Sequence, residues 1–365
     1  MEENRTPAPA TRGDQLHISS PDAILAVIPC LLGFHPSRSI VVVGAAPPRG
    51  RIKLAFRYDL PDPPDAGTAA KIASHAAGIL ARQRVSLAIV AGYGPGPLVT
   101  PVADALVGEL RRAGVELHDM LRVHDGRYWS YSCRNPRCCP PEGVVFDPAS
   151  HPAAAAMAAA GNQAMRDRAA LAATIAPLRG LAEESMRQAI RRAERRAAWL
   201  LPAVGAPARG GSMARRVLGE GLRAVAEAID IYRGGGEITS DEQIAWLAVA
   251  LCDLRIRDDA WARMDPEQHQ AHLRLWTTVV RRAPARYVPA PASLLAFVAW
   301  QQGNGGLANV ALERALAADP AYSMALLLAD AVGAGLPPSA ARLPMTPEEV
   351  AVSYAQQDDS SHGGS

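Results

Sequence analysis

A chain of 365 residues is longer than one hydrophobic core ordinarily serves, which points to two domains. Hydrophobic residues at 49% and charged residues at 20% mark a globular chain, and a formal net charge of +2 gives no general attraction to nucleic acid or anionic lipid. Lys53 and Lys71 are its only lysines, and the arginine, alanine and proline bias reads as the imprint of a GC-rich genome.

Residues 1–15, "MEENRTPAPATRGDQ", have none of the apolar character that export requires and read as a disordered arm. The longest apolar runs, at 153–160 and 324–332, are too short or too alanine-rich to span a bilayer. The expectation is a cytoplasmic protein without a membrane partner. Its five cysteines, Cys30, Cys133, Cys138, Cys139 and Cys252, are then not a disulfide framework, because that compartment keeps thiols reduced.

Residues 16–150 predict an α/β domain with a mixed sheet that ends in a hairpin and carries helices on its faces. Ser20 and Pro21 open a helix, "SIVVVGA" is a buried strand, and "RIKLAFRYDLP" alternates as a second strand. A helix over 66–84, the strand run "VSLAIVAGYG" and a helix over about 98–113 follow. Asp125-Gly126 between two alternating segments is a strong hairpin signal. A two-residue loop there sets Trp129 opposite Arg122, Tyr131 opposite Met120 and Cys133 opposite His118.

Residues 151–211 predict an alanine- and arginine-rich helical connector, broken near Pro177. Residues 212–340 predict an all-α domain with a capping box at Ser240 and Gln243 and an N-cap at Asp265. Within it, 290–335 resembles a tetratricopeptide hairpin through Ala308, Leu312, Ala315 and Asp319-Pro320, against the alternative of one helix pair in an ordinary bundle. Residues 341–365 read as a disordered tail.

Four places offer chemistry. "CRNPRCC" puts an Asn-Pro turn between Cys133 and Cys138, which can bring thiols together for zinc; His118 and Cys139 are the further candidate ligands, with His151 as an alternative to Cys139. The spacing sits at the edge of the usual ligand pairs, so packed thiols and a redox pair stay open beside metal. His35, Ser37 and Arg38, with Arg57 and Asp59, could line a ligand pocket at one sheet end. "GYGPGPL" sits where glycines cradle phosphate but lacks the spacing and the lysine. Arg187, Arg191 and Arg195, with Arg192 and Arg196 beside them, form a basic stripe on one helix, yet Glu183, Glu184 and Glu194 lie at salt-bridge spacing.

"LLGFHPSRSIVVVG", "RYDLP" and "WSYSCRNPRCCPPEG" together resemble the actinobacterial domain-of-unknown-function family numbered 4192, over about Ile18 to Pro338. The W-S-Y-x-C and C-C-P elements, here Trp129 to Tyr131, Cys133 and Cys138 to Pro140, carry the resemblance most specifically. It implies that these loops are the family's hallmark and names no catalytic residue. Three functions therefore compete. An interaction or regulatory module comes first, in which the helical domain presents a groove to a protein partner and the cysteine hairpin is structural, with zinc as its candidate ligand; an enzyme or small-ligand binder with a pocket between the His35 loop, Gly92–Gly96 and the hairpin comes second. Nucleic-acid binding through the arginine stripe is the weakest.

Overall fold

The computed structural model describes residues 20–46, 51–200, 210–338 and 345–362. The elements expected at 1–15, and the ends of the segment expected at 341–365, lie outside those residues. The first half runs α1 (Pro21–Leu32), β1 (Ser39–Ala46), β2 (Arg51–Asp59), α2 (Ala66–Arg82), β3 (Leu87–Tyr93), α3 (Gly96–Arg112), β4 (Glu116–His124), β5 (Arg127–Ser130) and β6 (Val144–Val145). One six-stranded mixed sheet results, in the order β2-β1-β3-β4-β5-β6. β3 and β4 are parallel through the α3 crossover, and the other pairs are antiparallel.

The apolar run of β1 is buried on both faces, which is why it reads as continuous rather than alternating. Ile40 and Val42 point to the layer of α2 and α3, with Leu80, Val102 and Leu106. Val41 and Val43 point the other way, toward Ile24, Leu25 and Ile28 of α1. Ser20 sits at the N-cap of α1 in extended conformation, but its hydroxyl goes to Asp22 rather than to the helix. A cap was expected there; an acceptor two residues on competes for the same hydroxyl.

The second half is helical: α4 (Pro152–Ala159), α5 (Arg168–Ala173), α6 (Leu181–Leu200), α7 (Gly210–Arg233), α8 (Asp241–Ala250), α9 (Leu254–Ala262), α10 (His269–Arg282), α11 (Pro289–Gln301), α12 (Gly305–Ala318), α13 (Ser323–Gly333) and α14 (Pro347–His362). The break near Pro177 falls between α5 and α6. No charged residue occurs in α11, and its residues from Pro289 to Trp300 are all buried, so it forms the centre of the bundle. One apolar core runs without interruption from α1 and one sheet face into these helices, through Leu171, Ile190, Trp276, Leu312 and Leu328. Residues 347–362, expected within a disordered tail, form α14 instead. Thr346 and Glu349 cap it reciprocally, and the Tyr354 hydroxyl donates to Asp258 at 2.7 Å. Among the described residues no helix is long and apolar enough to cross a membrane.

One buried group makes the fold sensitive to acid. His272 is 1% exposed; its Nε2 accepts from the Asp265 N–H at 3.4 Å, and its Nδ1 has no partner among the described residues. Burial, then the nearby Arg233 guanidinium, push its pKa down from 6.5 to about 4. Between those values the unfolded chain binds a proton that the folded chain refuses, so stability is full above about pH 6.5 and declines as pH falls toward 4. The whole interval is worth on the order of 3 kcal/mol. His272→Gln is expected to flatten that part of a urea-stability profile, and a profile unchanged by the substitution would assign the acid sensitivity elsewhere.

Candidate functional site

The hairpin closes as its sequence requires. Asp125 and Gly126 have φ of +47° and +69°, the pairing of a two-residue turn whose twist matches the strands. Arg122 faces Trp129 and Leu121 faces Ser130, where the ladder ends; the Tyr131 N–H adds one bond to the Met120 carbonyl at 2.7 Å. Beyond it the chain leaves the sheet. The Ser130 hydroxyl donates to the Asp119 carboxylate at 2.9 Å and accepts from the Ser132 and Cys133 N–H groups, each at 3.1 Å. The chain returns at Val144, opposite Tyr128, so residues 131–143 form a loop inserted between β5 and β6.

Trp129 fastens that loop. The Arg122 guanidinium lies 3.6 Å from the centre of its ring, and its Nε1–H donates to the Pro141 carbonyl at 3.0 Å. Gly143 lies against the indole with φ +81°, where a Cβ would come within 2.5 Å of the ring. Arg127 donates to the Gly143 carbonyl at 2.8 Å, and the Gly143 N–H donates to that of Pro140 at 2.9 Å. On the other side the Tyr131 hydroxyl bonds Thr100 of α3 at 2.8 Å.

Inside the loop Asn135 organises a turn. Its side chain accepts from the Arg137 N–H at 3.0 Å, and its carbonyl accepts from the N–H groups of Cys138 and Cys139 at 3.2 and 2.9 Å. Neighbouring residues in a helical turn diverge by about 100° rather than pointing to opposite sides as in a strand. Cys138 and Cys139 therefore both reach Cys133, and the three sulfurs lie within 4.8 Å of one another, with Cys133 and Cys138 at 3.2 Å. All are free thiols. The Asn135 backbone N–H, then hydrogen bonds with the other two thiols, hold Cys133 below the ordinary thiol value. Burial, with bonds to Cys133 and Cys138, pushes Cys139 up to about 12.

Neither histidine expected near these thiols joins them. The register between β3 and β4 passes from Leu117 to Asp119, leaving His118 as the extra residue of a bulge with an exposed side chain. The β4–β5 ladder has also ended before Cys133, so the expected pairing of Cys133 with His118 does not form. His151 caps α4 through Nδ1, at 3.1 Å from the Ala153 N–H, and its Nε2 lies 3.6 Å from Asp22.

The sheet-end set is spread along one edge with its charged groups in local ion pairs, although the buried Arg57 Nε has no hydrogen-bond partner among the described residues. Ser39 pairs with Asp59 and Val41 with Arg57 in the ladder; Arg57 forms an ion pair with Asp59, and its guanidinium lies 5.6 Å from the Phe34 ring centre. Arg38, at φ +43°, pairs with Asp62, while its carbonyl accepts from the Leu60 N–H at 2.9 Å. The His35 N–H donates to Met165 at 2.9 Å, and Ser37 is exposed. A cavity of about 320 Å³ lies elsewhere, lined by Asp230, Arg233, Arg263 and Asp265 in the helical half. In the glycine loop, the Gly94 N–H is used by the Val123 carbonyl and cannot cradle phosphate. The arginine stripe is largely paired: Arg187 with Glu183 and Glu184, Arg192 with Glu242 at 2.5 Å, and Arg196 with Glu220 at 2.6 Å.

Sequence reasoning found the three thiols and the Asn135-Pro136 turn that brings them together, but not Ser130 and Asp119. Those two act through short local bonds that leave no periodic trace. Comparison with curated proteins and with solved structures finds no match. The family model described as Domain of unknown function (DUF4192) covers residues 21–339, and the chain belongs to that family.

Proposed function

We propose that this chain acts by binding rather than by catalysis, as a regulatory or interaction module that presents loop 131–143 to a protein partner. The observation that carries this reading is the number of internal bonds spent on fixing a solvent-facing loop. Ordering backbone costs roughly 1–2 kcal/mol per residue, and a loop already held in one shape spares a complex that cost. Arg134, Pro136, Arg137 and Cys138 are exposed on it, giving a basic tip suited to an acidic partner surface. The catalytic alternative has less support: Arg38, Arg57 and Asp59 are bound in ion pairs, and among the described residues no nucleophile and base are hydrogen-bonded to one another there.

Site-specific photo-crosslinking in the native cell tests this. A photoreactive residue at Arg137 is expected to give one discrete protein adduct, and the same residue at Arg111 on α3 to give none. An adduct pattern identical at both positions, or no adduct from any exposed position of 131–143, would remove the reading.

A further inference from the structure

Resting on the reading of loop 131–143 as the working surface, we propose that Cys133, Cys138 and Cys139 bind one zinc ion, with water completing the tetrahedron. The three sulfurs already lie within 4.8 Å of one another. Tetrahedral zinc with bonds of about 2.3 Å to sulfur separates its ligand sulfurs by roughly 3.8 Å, so the cluster needs only small adjustments, chiefly a widening of the 3.2 Å between Cys133 and Cys138. Those adjustments are small because the backbone is bent beforehand. Asn135 closes the turn through three bonds, and Ser130 holds the approach to Cys133 through two. Neither set involves a sulfur, so the site does not need the metal to form its turn.

The donor set selects the ion. Thiolates prefer soft or borderline metals, and calcium and magnesium take oxygen ligands instead. Iron–sulfur clusters usually take four protein ligands, and among the described residues no fourth His, Cys, Asp or Glu shares this group. Asp119 takes the Ser130 hydroxyl and the Met120 N–H, the latter at 2.8 Å, on one carboxylate oxygen and lies outside the sulfur group. Three protein ligands therefore leave one position for water, which a partner's side chain can replace. Binding exchanges S–H for S–Zn bonds, each displaced thiol proton passes to solvent, and no electrons are transferred.

The test uses the full chain, made metal-free with a chelator under reductant. Zinc is titrated against a chromophoric chelator, and alkylation of each cysteine is followed by peptide mass spectrometry. The expected result is one zinc per chain, with alkylation of Cys133, Cys138 and Cys139 slowed by about tenfold or more while Cys30 and Cys252 are unaffected. Cobalt in place of zinc is expected to give a thiolate charge-transfer band that Cys138→Ser loses and Cys252→Ser keeps. The wild-type alkylation pattern needs no variant to fold. No zinc uptake by fully reduced protein, or uptake without protection of the three thiols, would overturn the proposal. So would a Cys133–Cys138 disulfide that forms equally fast with zinc present. A metal-free protein that still gives the discrete adduct at Arg137 loses the zinc site alone, whereas zinc-loaded protein with no adduct loses the interaction reading alone.

Discussion

Trp129→Ala is expected to release loop 131–143 from the sheet at a cost of about 2–3 kcal/mol while leaving the strands folded. The half-buried ring carries a cation–π contact worth about 0.5–1 kcal/mol or more and a hydrogen bond worth about 1 kcal/mol, with apolar burial supplying the rest. Trp129→Phe keeps a ring for Arg122 and loses only the donor to Pro141, so about 1 kcal/mol is expected. Gly143→Ala attacks the same joint from the other side, because φ +81° is strained for alanine and its Cβ would sit 2.5 Å from the indole. The two substitutions share one contact. Their combination should therefore cost less than the sum, as the shrunken residue 129 makes room for the new methyl. Hydrogen exchange over 131–143 together with urea denaturation checks this. Unchanged protection of the loop in Trp129→Ala would mean that the cysteine turn stands without its tether.

Where side-chain pattern and backbone geometry coincide, the fold was legible. The run from Ile40 to Val43 marked a strand buried on both faces, and Asp125-Gly126 fixed a register that pairs Arg122 with Trp129. Extending that register to Cys133 failed because alternation says nothing about where a ladder stops or slips. Leu117, Met120 and Leu121 stay apolar on either side of the bulge, so His118 is displaced without a mark in the pattern. Convergence of Cys138 and Cys139 was hidden for a related reason: as strand neighbours they would point apart, and only the Asn135 turn changes the angle between them. For α14 the composition misled. Its acidic, serine-rich end resembles a tail, although Thr346, Pro347 and Glu349 already spell a capping box. Tertiary contact to Asp258 supplies what the weakly amphipathic sequence does not advertise.

Gly306→Val is expected to destabilise the whole chain by about 3 kcal/mol or more, at or above the upper end of ordinary overpacking. A Cβ at Gly306 would stand 2.1 Å from the Leu32 carbonyl oxygen and 3.1 Å from Leu171 Cδ2. The first neighbour is backbone and cannot turn aside, so the C-terminal end of α1 would have to move. That end is held on several sides. Gly33 accepts from the Met165 N–H at 2.8 Å, and the Arg168 and Glu313 side chains bridge α5 and α12. Asn304 caps α12 by accepting from Leu307 at 3.0 Å. Because α1 lies under the sheet face that carries Val41 and Val43, displacing it disturbs the sheet and the helices together. A chain of two independent domains predicts a different outcome: the helices would melt first and the strands would keep their protection. One shared core predicts a single cooperative transition shifted to lower denaturant, with exchange accelerated in β1 and α11 alike. Gly306→Ala should shift the same transition in the same direction by less, since it adds the colliding Cβ without the branches. Two separated transitions in Gly306→Val, with the β1 amides still protected after the first, would show that the continuity of the core carries no cooperativity.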